Sequence, residues 1–127
     1  RIIGVPDIPS LSGGINALGN GMSASVNATC NNSGEWDKNV YIEIGTLIGT
    51  GTYLLSDLSN RLQYTVYGNN TIRVYSSLNT KSGRVIITKD DRTSKILSGT
   101  FEFEGVDNND SGKIVKITSG RFDIKYQ

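Results

Sequence analysis

Residues 83–126 keep an apolar side chain at every second position through three successive runs separated by short polar turns. A two-residue period is the signature of extended chain with one buried and one wet face, and no helix can satisfy it. In Leu97-Ser98-Gly99-Thr100-Phe101-Glu102-Phe103-Glu104, the side chains of Leu97, Phe101 and Phe103 fall on one side and those of Glu102 and Glu104 on the other. The last third therefore reads as a three-strand antiparallel meander.

Upstream the same period recurs. Residues 22–28 can form a strand, and Val40-Tyr41-Ile42-Glu43-Ile44 alternates with its β-branched residues inward. Leu62, Tyr64 and Val66 form the next inward row; Gly68-Asn69-Asn70 reads as a tight hairpin, and Ile72 and Val74 are expected to resume the inward row beyond it. Residues 83–88 form another strand, and Lys89-Asp90-Asp91-Arg92-Thr93 turns the chain into the Phe101 strand. No stretch of ten residues carries a helical period.

Near the end the phase slips. Val115 and Ile117 sit at odd positions, whereas Phe122, Ile124 and Tyr126 sit at even ones, so a regular strand cannot bury both sets. Either one extra residue at Ser119-Gly120 forms a β-bulge with glycine in the left-handed region, or the strand crosses between two packed sheets there. The expected fold is a single all-β domain over residues 22–127, an antiparallel β-sandwich or small barrel of seven to nine strands. Residues 1–21, rich in Gly, Ser and Asn, are expected to be an irregular N-terminal segment.

The bulk properties exclude several functions. With 127 residues there is room for one core, and thirteen Lys and Arg against twelve Asp and Glu leave no electrostatic footprint for nucleic acid. No apolar run is long enough to span a bilayer. Histidine is absent, which removes the commonest general base and metal ligand, and Cys30 has no second cysteine with which to close an internal disulfide. No cofactor signature is present.

Two constellations carry chemistry only on paper. Glu102 and Glu104 share a face, but an outward face is wet and raises neither carboxyl towards acid work; pairing with Lys113, Lys116, Arg121 or Lys125 is the expected use. Asp107-Asn108-Asn109-Asp110-Ser111-Gly112 concentrates oxygen ligands without the spacing of a calcium loop, and a hairpin turn explains it equally well. No catalytic and no metal residue is assigned, and the chain is not expected to be an enzyme.

The expected binding surface is aromatic. With the inward rows above, Tyr41, Tyr67 and Tyr75 face outward, and Trp36 lies in a polar loop beside them. Such rings stack on sugar C–H surfaces, and Arg73, with Asn32, Asp37 and Asn69, would supply hydrogen bonds to a glycan. Tyrosine is also a common strand residue that pairs across strands, which explains part of the same pattern without a ligand. The competing reading is an accessory or structural subunit that docks on a larger envelope complex by a sheet edge or by residues 1–21.

Ser98-Gly99-Thr100-Phe101-Glu102-Phe103 and the closing Ile117-Thr118-Ser119-Gly120-Arg121-Phe122-Asp123-Ile124-Lys125-Tyr126 resemble the "SGTFEF" and "ITxGRFDIKY" runs of an uncharacterised family of secreted or lipid-anchored β domains from Bacteroidota. Gly51-Thr52-Tyr53-Leu54 and the strand from Gly83 to Thr88 are similar to that family's "GTYxL" and "GxIxIT" segments, in the same order. The resemblance covers residues 40–127 and implies an exported protein, periplasmic or at the cell surface, with no catalytic residues to carry over. Any lipid-bearing cysteine would lie upstream of Arg1, because Asn27-Ala28-Thr29 before Cys30 does not look like a lipoprotein cleavage box.

Overall fold

The structure is a computed structural model, and it describes residues 10–18, 21–30, 37–68, 71–80 and 82–126. Nine strands belong to one antiparallel sheet: β1 (Ser10–Leu18), β2 (Gly21–Cys30), β3 (Asp37–Ile44), β4 (Gly51–Leu54), β5 (Arg61–Gly68), β6 (Thr71–Ser76), β7 (Ser82–Asp91), β8 (Ile96–Asp107) and β9 (Asp110–Lys125). Between β6 and β7 runs one helical turn, α1 (Ser77–Thr80). The chain is all-β, as its periodicity requires. Strand β1 lies within the segment expected to be irregular: its ladder to β2, from Ser10 opposite Thr29 to Leu18 opposite Gly21, supplies the order that its composition does not.

Two pairs of strands act as interrupted single columns. Strands β6 and β7 run the same way along β8, separated only by α1 and residue 81, while β5 pairs with β6 and β4 with β7. Both columns are broken at one level, between Leu54 opposite Arg84 and Gln63 opposite Ser76. Side chains repair the missing ladder. Leu62 N donates to Ser77 Oγ at 3.0 Å, Asn60 Nδ2 to the Leu54 carbonyl at 3.0 Å, and Gly45 N to Asn60 Oδ1 at 3.2 Å. Asn60 and Ser77 are buried, so these bonds replace water that cannot reach the backbone there.

The sheet curls until β1 and β9 come within 8 Å of one another, which favours the barrel over the sandwich. Inside lies one core that includes Val40, Ile42, Leu62, Val85, Leu97 and Phe122, each at most 1% exposed. Strand β8 buries every second residue along its length, with Phe101 and Phe103 inward and Glu102 outward. At each end of β8 a buried carboxylate faces the interior and meets an arginine. Asp107 accepts from Arg73 Nη1 at 3.1 Å, and Asp90, opposite the buried Leu97, takes both Nε and Nη2 of Arg92.

The phase slip in β9 is a bulge. Between Phe101 and Phe103 strand β8 advances two residues while β9 advances three, from Gly120 back to Ile117, and Ile117, Gly120, Phe122 and Ile124 are all buried. The left-handed residue is Ser119, with φ of 57°, and not the expected glycine. Gly120 has another task, because the Phe101 ring occupies the space a β-carbon would fill.

Strand β6 corrects the expected face. Gly68 pairs with Thr71 around a two-residue loop, so Tyr64 stands opposite Tyr75 and Val66 opposite Arg73. Residues directly opposite in an antiparallel ladder share a face, and inward Tyr64 and Val66 therefore bring Tyr75 and Arg73 inward too. Ile72, expected in the core, is 60% exposed. The turn expected over residues 89–93 also begins later, since β7 continues to Asp91.

Candidate functional site

Of the five aromatic-surface candidates, Trp36 lies outside the described residues, as do Asn32 and Asn69. The other four divide between the two faces of the sheet. Tyr75 packs against the core, its ring 6.1 Å from that of Tyr64, and Arg73 is committed to Asp107. These two belong to the interior and its rim.

Tyr41 and Tyr67 do face outward. Tyr41 stands opposite Gln63, and Tyr67 lies four residues further along β5 opposite Asp37, so their backbone positions lie about 14 Å apart on one outer face. Tyr41 is half-buried. Its hydroxyl donates to Glu43 Oε2 at 2.9 Å, Glu43 holds Arg61 Nη2 at 3.0 Å, and the Arg61 guanidinium sits 5.5 Å from the Tyr41 ring centre. Burial first, and then the Glu43 carboxylate, push the Tyr41 phenol above its ordinary pKa, so it remains a neutral donor. Tyr67 is 42% exposed and paired with the exposed Ile72. This outer face can stack a ring at Tyr67 and offer amide and charged groups at Gln63, Glu43 and Arg61.

The carboxylate pair has no catalytic geometry. Glu102 is exposed and bonded to Arg84 Nε at 2.8 Å on β7, a partner that the sequence reading did not name, and Glu104 stands opposite Lys116 as expected. In the turn at 107–112, Asp107 accepts from the Asn109 backbone at 2.9 Å and Asp110 from that of Gly112 at 3.0 Å, which uses these oxygens within the turn. Among the described residues no three His, Cys, Asp or Glu side chains gather as a metal site.

Sequence reasoning missed the surface beside β4. Strand β4 pairs with β7, and Tyr53 closes the preceding loop, its hydroxyl accepting from Ile48 N at 3.0 Å and donating to the Gly49 carbonyl at 2.7 Å. That loop holds Ile48 at 85% exposure, which with Leu54 at 53% lines a recess of about 560 Å³; Leu58, at 61%, follows in the turn after β4. Isolated aliphatic residues in a glycine-rich loop carry no period, which is why the pattern gave no warning.

A sequence profile described as "Domain of unknown function (DUF6252)" matches residues 19–123. No curated protein and no solved structure matches the chain. With most of its length covered by that profile, the chain belongs to the DUF6252 family.

Proposed function

Proceeding from membership in a family with no assigned activity, we propose that this chain is a non-enzymatic, exported domain of the cell envelope that binds a glycan on the outer face of β3 and β5. One observation carries the reading: Tyr41 and Tyr67 share that face, with Gln63 directly opposite Tyr41, and their positions along the strands are spaced for a short oligosaccharide. A half-exposed tyrosine beside an exposed isoleucine is apolar surface that no described part of the chain covers. The ion-paired Glu102 and the turn-bound Asp107 and Asp110 favour binding over catalysis. The exported setting, in a Bacteroidota envelope, is supported by the resemblance of the closing motifs.

Calorimetry with hits from a glycan array tests this. Tyr67→Ala and Tyr41→Ala are expected to weaken binding by about tenfold or more, the worth of one stacked ring. Full affinity in both variants, or no hit for the parent, ends the proposal.

A second reading has its own observation, the aliphatic side chains of Ile48, Leu54 and Leu58 beside β4. In it the domain docks on a larger envelope assembly through that edge. Crosslinking in the native envelope, compared between the parent and an Ile48→Lys, Leu54→Lys double variant, decides it. Identical crosslinked partners would remove this role.

A further inference from the structure

The outer face of β7, β8 and β9 carries a furrow that the sequence did not announce. Three recesses follow one another along β8, of about 290, 160 and 450 Å³. The first and second share Glu102 and the second and third share Thr100, so they form one trough. It runs from Glu104 to Ser98, about 20 Å of extended chain. Thr100 keeps the trough low beyond Glu102 and Ser98 keeps its end low, while Arg84 and Ile86 of β7 and Arg121 of β9 stand at its sides. A bulge interrupts each flanking strand, at Thr88 on β7 and at Thr118-Ser119 on β9, a device that re-aims side chains at the rims of sites.

The chemistry of the lining selects the occupant. Arg84, Lys116 and Arg121 face Glu102, Glu104 and Asp123, so the trough has no net charge. Arg84 is bonded to Glu102, Lys116 stands opposite Glu104, and Asp123 accepts from the Ser98 hydroxyl. A polyanion finds no excess of cations here. A lipid finds too little apolar lining, with Ile86 the main aliphatic side chain along the walls. An extended peptide finds no free backbone, because β8 is hydrogen-bonded to β7 on one edge and β9 on the other. What remains is a row of hydroxyls and balanced charges that donate and accept at once, matched to a chain that is itself hydroxyl-rich, neutral and elongated.

The geometry points to this trough as a binding site for a linear neutral glycan lying along β8. It lies on a different stretch of the outer face from Tyr41 and Tyr67 and does not rest on them.

The test is titration of the whole chain with neutral linear tetrasaccharides of glucose and of mannose, followed by amide chemical shifts and calorimetry. Shifts are expected at Ser98, Thr100 and Arg121, with affinity nearly independent of salt. Thr100→Arg, which fills the trough from an outward position, should weaken binding by about tenfold or more, and Tyr67→Ala should leave this site unchanged. Ser98→Gln serves as a second variant if the first is poorly folded. Absence of shifts in the parent, shifts confined to β3 and β5, or undiminished affinity in folded Thr100→Arg or Ser98→Gln overturns the inference. Shifts confined to β3 and β5 would do so while leaving the aromatic-face reading intact.

Discussion

The ring of Phe101 packs onto Gly120, its register partner on β9, in the volume that a β-carbon would need. Immediately before Gly120 the backbone turns left-handed at Ser119, a conformation that costs an L-residue about 1 kcal/mol and glycine almost nothing. The two positions therefore respond in opposite directions. Gly120→Ala should destabilise by about 1–3 kcal/mol through overpacking, whereas Ser119→Gly should be neutral or stabilise by up to about 1 kcal/mol. Urea unfolding midpoints read both, and a stable Gly120→Ala would mean that the bulge does not hold Phe101 there.

Asp107 ties pH to stability. The Asn109 backbone N–H and then the Arg73 guanidinium hold its carboxyl below the usual range. A group whose pKa is depressed on folding contributes fully above its unfolded value of about 3.9, and that contribution is lost as pH falls through the lower folded value. Asp107→Asn should therefore melt lower than the parent at neutral pH and lose less on acidification below about pH 4. Asp57 and Asp91, lowered chiefly by the backbone N–H groups of Ser59 and Ser94, retain part of the acid slope in that variant. Parallel curves of melting temperature against pH for the two proteins would refute the role given to Asp107.

What the sequence made legible was what period two can encode. The inward rows of β3, β5 and β8 and the extra residue in β9 follow from alternation alone, because each strand buries a single face. Strand β6 was misread because hydrophobicity was followed across the hairpin in place of ladder parity. A two-residue loop after Gly68 makes Tyr75 the partner of Tyr64, whatever Ile72 and Val74 prefer. The same error moved Arg73 and Tyr75 onto the supposed binding face. Neither the shared break at Asn60 and Ser77 nor the trough along β8 has a local signal, since each arises only when separate strands are brought side by side.

That parity has a thermodynamic consequence. Tyr75 packs on the core and on Tyr64, so Tyr75→Ala should cost about 2–4 kcal/mol, while Tyr67→Ala, exposed on the other face, should stay within about 1 kcal/mol. Denaturant midpoints measured side by side separate the faces. Equal losses would place both tyrosines in one environment and contradict the register of the β5–β6 hairpin.

Asn60 is where the interrupted columns depend on a single side chain. Its amide gives one bond to the Leu54 carbonyl and takes one from Gly45 N, joining the chain that leaves β3 to the chain that leaves β4. Truncation would leave the Leu54 carbonyl and the Gly45 N–H, both in partly buried bonds, without their side-chain partner. Asn60→Ala should therefore cost about 2–3 kcal/mol, and Asn60→Asp should also destabilise, because a carboxylate can accept from Gly45 but cannot donate to Leu54. Ser59→Ala, which removes only an exposed hydroxyl bonded to Asp57, should stay within about 0.5 kcal/mol. Amide exchange reports the break directly: protection lost at Gly45 in Asn60→Ala but kept at Leu62, which Ser77 holds, and kept at both in Ser59→Ala, is the expected pattern. Unchanged protection at Gly45 in Asn60→Ala would show that the two columns are joined by something other than this side chain.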